Sequence, residues 1–266
     1  MSTLLIVGGG LFGSLAAAYA RSKGIEAVVF DACLEGAASP AAAGLFKEDW
    51  ARKKWRPHYL YALPLLERLY EMRQVSLARD EGGQESLLCV PPSAILEPTP
   101  IRRQVTSVGD GWLEAGGQRY EGWVYVAAGV WCGQFLPPLN VYGRAGSSFL
   151  FPGERQGRIR QAGGHQAVAF VRDAGTTYFG DGTAERAYTP EYDRRTLDRA
   201  ADMGLTGPIK RFWGNRPYAP GGLVFEKPAD RTWLATGGRK MGTILGASCA
   251  RRLVEQELCG CRSCGT

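Results

Sequence analysis

The segment Ile6–Gly13, I-V-G-G-G-L-F-G, constrains the fold more than any other stretch of the chain. Its glycines at 8, 10 and 13 have G-x-G-x-x-G spacing, a pattern that is weak by itself. Here it follows the short apolar run Leu4–Val7 and opens an Ala-rich helical stretch, Leu15–Lys23. A second apolar run, Ala27–Phe30, comes next, and Asp31 closes it eighteen positions after Gly13. That order is strand, turn, helix, strand, a βαβ unit in about thirty residues. In this context each glycine has its own task. Gly8 permits the turn, Gly10 lets the backbone approach a pyrophosphate, and Gly13 allows close helix–strand packing. A helix start presents N–H groups and a positive dipole end to phosphates. Asp31 is placed to accept hydrogen bonds from an adenosine ribose. A plain tight turn is the alternative reading.

Two later segments decide between dinucleotides. Val124–Trp131, V-Y-V-A-A-G-V-W, reads as a buried strand ending in small residues. Thr236–Leu245, T-G-G-R-K-M-G-T-I-L, reads as a Gly-rich turn that opens the last long helix. A second helix N-terminus beside the cofactor suits the end of a flavin that gains negative charge on reduction. The expectation is therefore FAD rather than a nicotinamide cofactor alone.

Composition narrows the remaining classes. Lys and Arg number 32 against 26 Asp and Glu, for a net charge of +6. The positive charge is scattered, with only a short cluster at Arg52–Arg56, which argues against nucleic acid and fits an anionic cofactor or substrate. Seven cysteines, an odd number without paired spacing in the body of the chain, argue against a secreted disulfide framework. The apolar run Leu4–Ala20 carries four glycines and reads as a βα unit rather than a signal segment. No stretch reaches the ~20 apolar residues of a spanning helix. A cytoplasmic protein without a membrane span is expected.

Further elements follow from periodicity. His58–Met72 has apolar residues near helical spacing, with Pro57 in its first turn and Pro64 as a kink or the true start. Arg79–Gln84 reads as a polar turn, Leu87–Val90 as a strand, and Pro91–Pro100, with four prolines, as a linker. Val141–Phe151, Gln166–Val171, Thr176–Phe179, Lys210–Trp213 and Thr232–Ala235 read as strands. Pro190–Met203 and Gly242–Leu258 read as helices.

Six segments in order resemble the D-amino-acid oxidase superfamily of FAD enzymes, its glycine oxidase and sarcosine oxidase-like branch in particular. They are the N-terminal fingerprint, S-P-A-A-A-G-L at Ser39–Leu45, A-A-G-V-W at Ala127–Trp131, F-G-D-G-T-A-E at Phe179–Glu185, N-R-P-Y at Asn215–Tyr218, and G-G-R-K-M-G at Gly237–Gly242. The resemblance implies an α/β fold, a Rossmann-like FAD-binding domain with an interleaved antiparallel-sheet substrate domain. The expected division is 1–46, 101–141 and 208–258 for FAD, 47–100 and 142–207 for a reduced substrate domain, and 259–266 as a tail. FAD contacts are implied for Gly8, Gly10, Leu11, Phe12, Gly13, Asp31, Ala32, Ser39, Ala43, Gly44, Leu45, Val105, Ala127, Ala128, Gly129, Trp131, Gly238, Arg239, Lys240, Met241, Gly242 and Thr243. Arg216 is implied to bind the substrate carboxylate, with Lys240 and Tyr178 as further catalytic candidates.

The implied activity is oxidation of the C–N bond of an amino acid or secondary amine by hydride transfer to flavin N5. Family members are longer, and the shortfall lies between Arg79 and Val105. An open site, or one roofed by a partner subunit of a hetero-oligomeric dehydrogenase, is the corresponding expectation; a non-catalytic FAD-binding protein is the other alternative. Several residues keep two readings. Arg216 is a carboxylate ligand or a structural ion pair, and Tyr178 and Tyr218 line the substrate site or pack within a sheet. Cys132 is a packing residue or a redox thiol, and the tail cysteines Cys259, Cys261 and Cys264 are metal ligands or incidental. With only His58 and His165 present, a histidine-based metal site or a Ser-His-Asp triad is disfavoured.

Overall fold

The structure, a computed structural model, describes residues 3–80, 82–136, 138–162 and 165–260. Its centre is a five-stranded sheet built from β1 (Leu4–Val7), β2 (Ala27–Phe30), β9 (Trp123–Val126), β15 (Val224–Ala229) and β16 (Thr232–Thr236). The strand order is β15-β16-β9-β1-β2. All neighbours are parallel except the edge pair β15–β16. The parallel strands are buried on both faces, which accounts for their unbroken apolar runs. Leu4 and Ile6 point to a helical layer, and Leu5 and Val7 to the opposite layer.

The helical layer comprises α1 (Leu11–Ser22), α2 (Arg52–Leu69) and α5 (Gly242–Arg252), and α5 packs against both others. The opposite layer is a three-stranded meander, β6 (Val105–Gly109), β7 (Trp112–Ala115) and β8 (Gln118–Glu121).

An eight-stranded sheet forms the second body. Its order is β14-β10-β13-β12-β11-β4-β5-β3. The strands are β3 (Leu45–Phe46), β4 (Arg73–Arg79), β5 (Gln84–Cys89), β10 (Tyr142–Pro152), β11 (Arg158–Ala162), β12 (His165–Asp173), β13 (Thr176–Gly180) and β14 (Lys210–Tyr218). One face packs on α4 (Pro190–Asp202) through Phe149, Phe151, Phe179 and Ala200. The other carries Leu150, Phe170 and Tyr178 and packs against Leu45 and Trp50. Helix α4 starts on Thr189, whose hydroxyl accepts the Tyr192 N–H, with Pro190 in the first turn and Glu191 and Asp193 near the positive dipole end.

Several sequence-based expectations change. Helix α2 begins at Arg52, not His58, so Pro57 and Pro64 both lie inside it. Each proline removes one backbone hydrogen bond, but both lie on the exposed face, where water can reach the freed carbonyls. The opposite face buries Tyr59, Ala62, Leu65 and Leu66 in the core shared with α1 and α5. Residues 52–69 therefore pack with the parallel-sheet body. Residues 210–218 form β14, which pairs along its whole length with Tyr142–Leu150 of β10 in the larger sheet. The expected linker at Pro91–Pro100 contains a short helix, α3 (Pro92–Ile95), and is tied to α1. Ser14 Oγ accepts the Glu97 N–H at 2.9 Å, and Arg21 pairs with Glu97. The last helix ends its regular α-form at Arg252 and continues as a π-helix over Leu253–Leu258.

Candidate functional site

Parallel pairing brings the carboxyl ends of β1, β2, β9 and β16 to one edge, where ligands of open α/β sheets bind. The loops leaving those ends, together with the large sheet, enclose a cavity of about 830 Å³.

At the first crossing the backbone is very tight. Gly8 has φ +102°, and a Cβ there would lie 2.6 Å from the Ala127 carbonyl oxygen. A Cβ on Gly13 would lie 1.9 Å from the Gly8 carbonyl oxygen. These two glycines let β1, β9 and α1 converge. Helix α1 then starts after Gly10 with no acidic residue within its own first turn. Asp31 uses one carboxylate oxygen to accept the Gly9 N–H at 2.5 Å and the other to accept the Cys33 N–H at 2.6 Å. Ser39 Oγ accepts the Leu11 N–H at 2.9 Å, so a loop residue distant in sequence caps this helix.

The next strand ends at Val126, and Ala127–Trp131 turn away beside the cavity. Gly129 has φ +60° and its carbonyl accepts the Thr236 hydroxyl, joining the loops after β9 and β16. Cys132 is fully buried, and burial pushes its thiol up to about 12. It is a packing residue held as a neutral thiol, not a poised redox group. After β16, Gly237–Met241 form a turn in which Arg239 has φ +48° and its N–H reaches the Pro217 carbonyl.

The large sheet supplies the facing wall. Arg216 of β14 donates from Nη1 to the Thr183 carbonyl at 2.7 Å. Lys240 donates from Nζ to the neighbouring Gly182 carbonyl at 2.5 Å. Partial burial and the Arg216 charge push the Lys240 ammonium below the usual lysine range. Among the described residues, neither cation pairs with a carboxylate, which removes the structural ion pair as an account of Arg216. Tyr178 is buried against Phe170 and donates its hydroxyl to the Ala41 carbonyl at 3.0 Å. It packs within the sheet and also lines the cavity.

Of the residues implied to contact FAD or to act on substrate, all but Gly13 line this cavity, from Gly8 through Val105 and Arg216 to Thr243. Gly13 lies behind the wall, where it sets the approach of α1 to β1. Sequence reasoning missed Asp49, Trp50, Trp55 and Gln166, which also line it. No motif marks them; they converge only through tertiary packing. Among the described residues there is no cluster of three metal-ligating side chains, and Cys261 and Cys264 lie outside those residues. No helix among them is long and apolar enough to cross a membrane.

Residues 94–256, more than half of the chain, match the family described as DAO, FAD dependent oxidoreductase. The chain belongs to that family. FAD is accordingly its cofactor, and its class is FAD-dependent oxidoreductase. The chain is similar to solved members with the same fold. Iminodiacetate oxidase from Chelativorans sp. BNC1 is 16% identical with a TM-score of 0.72, covering 99% of this chain and 97% of that one. L-proline dehydrogenase from P. horikoshii is 13% identical with a TM-score of 0.75, covering 97% and 94%. Glycine oxidase from Bacillus cereus ATCC 14579 is 13% identical with a TM-score of 0.72, covering 97% and 98%. No curated protein sequence matches the chain. The residues present fit a DAO-family cofactor. The α1 start and Asp31 suit its adenosine diphosphate half, and the small-residue loops after β9 and β16 leave room for its ring system.

Proposed function

We propose that this DAO-family protein oxidises the C–N bond of an amino acid or secondary amine that bears a carboxylate. The observation carrying this reading is Arg216, a cavity-lining guanidinium held on the Thr183 carbonyl at 2.7 Å and free of any carboxylate among the described residues. A guanidinium has five donors, so the one fixed on Thr183 leaves a planar fork for two parallel bonds to a ligand carboxylate. FAD, when bound, supplies the acceptor for the hydride that leaves the substrate's α-carbon, and water hydrolyses the resulting imine.

The chain's own residues bind, orient and enclose. The start of α1 and Asp31 hold the cofactor's phosphate and ribose groups, and the turn Gly238–Thr243 borders its ring system. Lys240 and Arg216 form a cationic wall that positions the substrate, and Tyr178 braces the Ala41 loop over the cavity. The parallel-sheet body is thus the FAD-binding part and the eight-stranded sheet the substrate-binding part. The names of the related structures, an iminodiacetate oxidase, a proline dehydrogenase and a glycine oxidase, support this substrate class.

The test is anaerobic reduction of the bound flavin by a panel of amino acids. Arg216→Ala is expected to keep its flavin but to lose about 2–5 kcal/mol of substrate binding, because a carboxylate would be left unpaired. Unchanged reduction rate and affinity in this variant would overturn the assignment and point to an amine without a carboxylate.

A further inference from the structure

One carboxylate accounts for Arg216, but the same wall carries a second cation. Lys240 comes from the turn after β16, and Arg216 from β14 of the other sheet. Their acceptors are the consecutive carbonyls of Gly182 and Thr183. Consecutive Cα atoms are about 3.8 Å apart, so the two cationic groups lie within roughly 10 Å of each other. Each keeps donors to spare.

The nearby acidic groups do not neutralise them. Asp181 adjoins the two carbonyls but is 2% exposed, and its carboxylate is fully engaged elsewhere. It accepts from the Thr183 N–H at 3.0 Å, the Thr183 hydroxyl at 2.7 Å and the Thr196 hydroxyl at 3.2 Å. Its ion-pair partner is Arg199 of α4, at 2.9 Å. Asp49 lines the cavity too, but its side chain is 83% exposed and pairs with Lys47. Asp31 lies beyond β2 and is taken up by backbone N–H groups. Asp181 offsets part of the charge on Lys240, but neither cation forms an ion pair among the described residues, so the two like charges repel each other and a ligand with two negative groups would relieve that repulsion.

We propose that Lys240 is a specificity-determining residue that binds a second anionic group, so that the preferred substrates are dicarboxylic amino acids or dicarboxylic secondary amines. This rests on the reading of Arg216 as the first carboxylate's ligand. The geometry divides the work: Arg216 orients the carboxylate next to the reacting carbon, and Lys240 meets the distal one. Lys suits a second group of variable length, because its ammonium is a compact charge on a flexible stem.

The experiment uses the FAD-loaded full chain and reads binding separately from turnover. Perturbation of the flavin absorption band is titrated with the non-oxidisable malonate and succinate, against acetate and butyrate. Anaerobic flavin reduction is then measured with aspartate, glutamate and iminodiacetate, against alanine and sarcosine. The wild type is expected to favour dicarboxylates at least tenfold in both readouts. Lys240→Met should collapse the ratio of dicarboxylate to monocarboxylate affinity toward unity, and Lys240→Arg should retain most of it. The flavin spectrum of each variant reports whether it folded and loaded, and the Arg variant keeps the charge requirement testable should the Met variant fail to load. Equal wild-type affinity for the two classes, or an unchanged ratio in Lys240→Met, overturns the role of Lys240 while leaving Arg216 intact. Binding of neither class sinks both assignments.

Discussion

Gly13 offers the sharpest test of how the cofactor end is built. An added Cβ would lie 1.9 Å from the Gly8 carbonyl oxygen and 3.0 Å from Ile6 Cγ2. The first obstacle is backbone and cannot rotate aside. Relief requires moving α1 and the Gly8 turn apart by about 1 Å, toward ordinary contact distance. Gly8 is itself anchored, because its N–H donates to the Phe30 carbonyl at 2.8 Å. Overpacking of this kind costs about 1–3 kcal/mol, and straining that hydrogen bond adds about 1 kcal/mol. The better helix propensity of alanine returns at most about 1 kcal/mol. Gly13→Ala should therefore lose about 2 kcal/mol, or roughly 4–8 °C in Tm for a chain of this size. It should also purify with less FAD, since the displaced helix start is the part facing the pyrophosphate. Thermal unfolding followed by circular dichroism, with flavin content from absorbance, measures both. Gly221→Ala is the control, because a Cβ there meets nothing within 4 Å. A Gly13→Ala protein melting within about 2 °C of wild type, with full FAD, would refute the argument that this contact sets α1 against β1.

Two more outcomes follow from single contacts. Ser39→Ala removes the hydroxyl that caps Leu11 and should cost about 1 kcal/mol, read as a lower denaturant midpoint and weaker FAD retention; an unchanged midpoint would mean that water replaces the cap without loss. Burial alone would push the Glu85 carboxyl up, but hydrogen bonds from Lys47 and Arg79 outweigh it and hold the group below the ordinary glutamate range. Its contribution is thus present above the unfolded carboxylate pKa and is lost as pH falls through the lower folded value. Between pH 6 and pH 3, wild-type Tm should fall more than that of Glu85→Gln, whereas parallel declines would show that Glu85 is not an acid-labile contact.

The cofactor end was legible in the sequence because its signals are local. Leu4–Val7, the glycines and Asp31 sit within thirty residues, and each is tied to a backbone requirement that few side chains satisfy. Helix α2 was misplaced at its start because R-K-K-W-R lacks an apolar stripe and Pro57 reads as a first-turn residue. What holds its first turns is tertiary, with Ala51 and Tyr59 buried in the shared core. Strands β4, β11 and β15 were missed for a similar reason: their sequences, such as R-Q-V-S-L-A-R, are polar and gain order by pairing. The end of β14 was read too short because Gly214 and Pro217 look like terminators, yet the strand pairs through to Tyr218. At the substrate end only Arg216, Lys240, Tyr178 and Tyr218 were visible. Trp50, Trp55 and Gln166 reach the cavity from separate elements, and no spacing rule connects them.

The turn Asp181–Thr183 acts as a small switchboard between the outside of the molecule and its pocket. Its carbonyls seat both cations, while its aspartate is wired to Thr196 and Arg199 on α4. A helix on the outer face of the sheet thus joins the pocket's own walls in positioning these two positive charges. Substitutions along α4 are therefore expected to shift this segment, and with it the carbonyls that hold Arg216 and Lys240, without any change inside the cavity.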